Sequence, residues 1–123
     1  VKGQAAGLLA ALWVVACAPA PDVAGTWQGR WESDDGAARG TFRVHVTQRG
    51  NRISGRIELD GTWPSDARVD GVVEGSRVRW GVLRGGVAVL NFEGTVAGGH
   101  SSGTYRGPGG SSGRWEARRV RPP

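Results

Sequence analysis

A chain of 123 residues with one cysteine holds one core at most, and a lone thiol excludes both an internal disulfide and a cysteine zinc cluster. With 22 glycines and no methionine, the composition argues against a helix bundle and against a doubly wound nucleotide-binding fold. The net charge of +5 comes from 16 basic and 11 acidic residues, and 15 of the basic ones are arginines that mostly alternate with apolar residues, as on a solvated outer face.

Residues 1–16 read as an address. A basic start at Lys2 is followed by the 11 apolar or small residues Ala5 to Val15 and then by Ala16-Cys17-Ala18-Pro19-Ala20-Pro21. This order is that of a secretory signal, and the run is too short to span a bilayer as a helix. Val1 reads as an alternative start codon, which points to a bacterial gene. Ordinary signal-peptidase sites ending at Ala18 or Ala20 would each place a proline just after the cut, a poor context.

Val14-Val15-Ala16-Cys17 resembles the lipobox of bacterial lipoproteins. The resemblance implies that Cys17 becomes the mature N-terminus, bearing a thioether-linked diacylglycerol and an N-acyl chain. Each buried methylene contributes about 0.8 kcal/mol, so one chain anchors marginally and two or three anchor stably. Residues 17–22 then form the lipidated end and a short Ala/Pro tether. Alanine at position 18, by analogy with enteric bacteria, favours the outer membrane, at its periplasmic face or the cell surface. In that compartment nucleic acid is not an expected partner.

The domain proper is expected over residues 23–121. Turn chemistry recurs at Asp34-Asp35-Gly36, Arg49-Gly50-Asn51, Asp60-Gly61, Gly75-Ser76, Gly85-Gly86, Gly98-Gly99 and Pro108-Gly109-Gly110. Between these breaks lie eight segments of period two. Trp27, Gly29 and Trp31 alternate with Gln28, Arg30 and Glu32, and Ile53, Gly55, Ile57 and Leu59 with Arg52, Ser54, Arg56 and Glu58. Strict alternation marks sheet with one buried and one wet face. Consecutive strands joined by tight turns predict an all-β fold, an eight-stranded antiparallel up-and-down barrel whose closure removes the exposed edges. Inward glycines suit strong curvature. Seven aromatics, Trp27, Trp31, Phe42, Trp80, Phe92, Tyr105 and Trp115, fall on the buried face.

Gly25-Thr26-Trp27, opening the first strand, resembles the G-x-W signature of the calycins, the superfamily of lipocalins, fatty-acid-binding proteins and avidins. The resemblance implies an arginine near the end of the last strand packed over the tryptophan. Arg118 and Arg119 stand at the matching place, and one of them is expected on Trp27. The interior of an eight-stranded barrel is just wide enough to be filled by side chains or to hold one small ligand. The barrel is therefore expected either to serve structurally, its seven aromatics filling it, or to bind a small hydrophobic ligand, for which Trp31, Trp80, Phe92 and Tyr105 are the candidate binding residues. Trp63, in the loop from Asp60 to Asp66, is a candidate lid, or else an anchor on the barrel rim.

Little catalytic chemistry is visible. The pattern points almost no ionisable group inward, His45 and His100 lack partners at metal-ligand spacing, and Asp34 and Asp35 sit where turn-forming explains them. No glycine cluster leads from a strand into a helix, so there is neither a phosphate loop nor a nucleophile elbow. The chain is therefore expected to be a non-catalytic monomer without cofactor or metal. An alternative is an interaction module, such as an inhibitor of proteases or lysozymes acting through a protruding loop or arm. Arg114, Arg118, Arg119 and Arg121, gathered near the C-terminus, suit anionic lipid headgroups or cell-wall polymers.

Overall fold

A computed structural model of the chain describes residues 20–60 and 67–123. The expected eight strands are present: β1 (Gly25–Ser33), β2 (Arg39–Arg49), β3 (Arg52–Leu59), β4 (Ala67–Glu74), β5 (Arg77–Arg84), β6 (Val87–Ala97), β7 (His100–Arg106) and β8 (Ser112–Arg121). Each pairs antiparallel with the next, and β8 returns to β1, closing the barrel. A single 3₁₀ turn, Pro108–Gly110, links β7 to β8. With every strand paired on both sides, no edge is left to recruit another chain.

The barrel has two ends. The tip carries the connections β1–β2, β3–β4, β5–β6 and β7–β8. The base carries β2–β3, β4–β5 and β6–β7, together with the entry of the chain at Ala20 and the end of β8. Among the described residues the buried ones run from Val23 to Ala117 and form one cluster in which none is charged. All eight strands, the β8–β1 closure and this cluster lie within residues 20–123, which make a self-contained barrel.

Inward glycines set the curvature. At Gly55 an added Cβ would lie 1.8 Å from the carbonyl oxygen of His45, and at Gly103 it would lie 1.8 Å from that of Glu93. Neighbouring backbones occupy the space a side chain would need, so the sheet bends more sharply there than any other residue permits. Gly94 and Gly103 stand directly opposite each other in β6 and β7, doubling the bend at one place.

Candidate functional site

Six rings fill the barrel from its middle to the tip. Trp80 and Phe92, cross-strand partners in β5 and β6, stack with centroids 4.0 Å apart and planes 8° from parallel. Phe42 packs tilted against both. Trp115 meets Trp80 edge-on at 5.6 Å, and Tyr105 meets Trp31 edge-on at 5.9 Å. Offset-stacked and edge-to-face geometries are the favourable ones for aromatic pairs. The indole of Trp115 donates to the carbonyls of Thr104 and Glu93 at 3.1 and 3.2 Å. Four of the five candidate binding residues, Trp31, Trp80, Phe92 and Tyr105, are thus packed on one another and are at most 8% exposed. The fifth, Trp63, lies outside the described residues.

The rim of the tip is organised by turn chemistry. Asp35 accepts from the Ser33 hydroxyl at 2.7 Å and the Ala37 N–H at 2.9 Å; the backbone donor, followed by the hydroxyl, holds its carboxyl below the usual carboxylate range. Asp34 accepts from the Ser112 hydroxyl at 2.7 Å, tying the β1–β2 turn to β8. Burial, with Asp34 and Asp35 adding to it, pushes the Tyr105 phenol above its ordinary value.

The base is built differently. Trp27 stands apart from the aromatic cluster, and the Arg119 guanidinium carbon lies 5.2 Å from its ring centroid. The register explains why Arg119, not Arg118, takes this place. Arg119 is the cross-strand partner of Trp27 and shares its face, whereas Arg118 pairs with Gln28 on the outer face. A bulge follows: Thr26 pairs with Arg121, so Val120 is the extra residue and is pushed outward, 43% exposed.

Residues 21–24 cross the base as a strap. The Trp27 indole donates to the carbonyl of Val23 at 2.9 Å, and Arg119 donates to that of Asp22. Gln48, at the end of β2, accepts from the Val23 N–H at 2.7 Å and donates to the carbonyls of Pro21 and Gly50 at 2.8 and 2.9 Å. So held, Val23 is 5% exposed and its side chain closes the mouth. Behind it lies a cavity of about 50 Å³ bordered by Val23, Trp27, Val46, Val78, Val96 and Trp80 among others. An apolar cavity needs about 150 Å³ to admit a molecule the size of benzene. Of the four described candidate binding residues, Trp80 alone borders it.

His45 lies on the outer face between the Thr26 hydroxyl, 3.1 Å away, and the Glu58 carboxylate, 3.5 Å away. His100 opens β7. Among the described residues no three His, Cys, Asp or Glu side chains converge as a metal site. Cys17 lies outside the described residues. Sequence reading missed Gln48 and Val23; the strap is visible only when the chain entry and the β2–β3 turn are seen at the same mouth.

The architecture is that of a closed up-and-down barrel with a filled interior. No family profile and no curated protein matches this chain. Among solved structures, it is similar to a variant of the fluorescent protein UnaG, with 15% identity over 80% of this chain and 96% of that one, at a TM-score of 0.46.

Proposed function

We propose that this chain is a bacterial lipoprotein whose barrel is a non-catalytic, monomeric module held at the outer membrane through acylated Cys17. In this reading the barrel acts through its outer surface, and its interior serves as a solid scaffold of calycin type. The observation that carries the barrel's part is the interior itself: six rings in mutual contact and a residual cavity of about 50 Å³ leave no room for a lipid-sized guest. The anchoring rests on Val14-Val15-Ala16-Cys17. Gly25-Thr26-Trp27, with Arg119 over the tryptophan, supports the calycin affinity.

Replacing Cys17 with serine tests the anchor: the protein should leave the membrane fraction, and undiminished retention would overturn the lipoprotein reading. One observation favours a second reading, a small apolar ligand at the base. The cavity there is closed by the strap, which is held by side-chain hydrogen bonds and not by a strand ladder. Native mass spectrometry on residues 20–123, exported to a bacterial periplasm and purified without detergent, separates the two. A co-purifying small molecule supports the ligand reading, and a bare domain supports the solid scaffold.

A further inference from the structure

The strand register sorts charge along the barrel axis. Among the described residues, the tip connections, each taken with two strand residues on either side, gather four arginines, Arg39, Arg68, Arg84 and Arg106, against five carboxylates, Glu32, Asp34, Asp35, Glu58 and Asp60. The base gathers Arg49, Arg52 and Arg77 from its hairpins and Arg118, Arg119 and Arg121 from the end of β8. Against these six stand only Asp22 and Glu74 among the described residues, and Glu74 turns to Arg79 at 3.7 Å. Arg114, grouped with the C-terminal arginines in the sequence, pairs instead with Glu32 near the tip.

Two of the base arginines also face each other: Arg49 and Arg52 are direct cross-strand partners at the β2–β3 turn, whereas Arg77 stands opposite Glu74. Like charges placed opposite on a sheet are destabilising. Arg49, Arg52, Arg77, Arg118 and Arg121 have no ion pair among the described residues, unlike Arg30, which meets Glu116 on the outer face. Val120, bulged outward, puts an exposed apolar side chain among them.

We propose that the base is a docking face for anionic phospholipid headgroups, which seats the barrel with its tip away from the bilayer. Charge complementarity points to the partner, and the chain entry fixes the orientation, since Ala20 and Pro21 lie at the base. The orientation rests on the lipoprotein reading. If Cys17 is acylated, four residues separate it from Pro21 and reach at most roughly 14 Å, which keeps the base close to the distance over which headgroup charge acts at physiological salt. Each arginine near such a surface contributes about 1 kcal/mol, or a factor of roughly five in affinity. The exposed Val120 side chain would enter the interface region.

The test uses residues 20–123, which carry no lipid, so its result is independent of whether Cys17 is acylated. Binding to phosphatidylcholine vesicles with and without phosphatidylglycerol is measured by co-sedimentation at low and physiological salt. Binding is expected only with phosphatidylglycerol, strongest at low salt. The pair Arg49→Gln and Arg52→Gln should weaken it by roughly 30-fold, while Arg84→Gln with Arg106→Gln at the tip leaves it within about twofold. Both pairs are exposed, and tryptophan fluorescence verifies that each remains folded. Absence of binding at low salt, or equal losses from base and tip pairs, overturns the proposal. Vesicle binding in a protein whose Cys17→Ser variant stays in the membrane fraction would keep the docking face and remove the acyl anchor.

Discussion

The tip and base of this barrel bury their strands by different means. Toward the tip, six rings interlock. At the base, aliphatic side chains from several strands reach inward around a cavity of about 50 Å³, and one tryptophan, one arginine and four residues of incoming chain complete the seal. Glycines at inward positions make the barrel narrow, so rings can fill it where they occur. Where valines replace them, volume is missing, and a segment from outside the sheet supplies it.

The largest expected effect lies in the ring cluster. Trp80→Ala should destabilise the domain by about 3–5 kcal/mol in urea unfolding, because the rings around it cannot collapse into the space. A loss under about 1 kcal/mol would mean the cluster is not the core. Trp27→Ala should cost a similar amount, but it should also free the strap, seen as faster amide exchange at Val23.

Overpacking sharpens the contrast. Val82, 2% exposed and away from the cavity, should not accept another methylene: Val82→Ile is expected to cost about 1–3 kcal/mol. Val96 borders the cavity, so Val96→Ile should be neutral or stabilising by up to about 0.8 kcal/mol. Equal responses at the two sites would erase the distinction between the ends.

The strap is next in size. Gln48→Ala removes three hydrogen bonds and should cost about 1–2 kcal/mol. Exchange protection should fall at Val23 and stay unchanged in β5 and β6. A uniform fall would make the strap part of the global fold instead of a local seal.

The smallest effect is one of pH. The folded Tyr105 phenol titrates above its ordinary value of 10.0, so its contribution is full below that pH and is lost as pH rises through the folded value. Thermal unfolding at alkaline pH should show a decline that Tyr105→Phe flattens. Asp35, held low, acts in the opposite direction: its contribution is present at neutral pH and is lost as pH falls through its folded value. Asp35→Asn should flatten the acid side.

Much of this was legible from residues alone. Alternation such as Ile53, Gly55, Ile57 and Leu59 assigned the inner face, and the glycine turns set the strand count, because both signals come from interactions within a few residues. The sequence placed Trp31, Trp80, Phe92 and Tyr105 inside and named Trp27 with a late arginine as a pair. It did not reveal that those four rings pack on one another, nor that Val23 and Gln48 close the base. Periodicity says which face a side chain takes, not what it meets there.

The amino-acid sequence by itself determined the strand number, the meander order and the buried face. Only the tertiary structure decided how β8 meets β1, and that one register sets several features together. It puts Arg119 on Trp27, bulges Val120 outward and separates Arg114 from the other C-terminal arginines. It also brings Arg118 and Arg121 to the end where Arg49, Arg52 and Arg77 already stand. The reason is range: strand pattern and turns are set by neighbours in the chain, whereas closure joins residues nearly a hundred positions apart, with a bulge that no local pattern records.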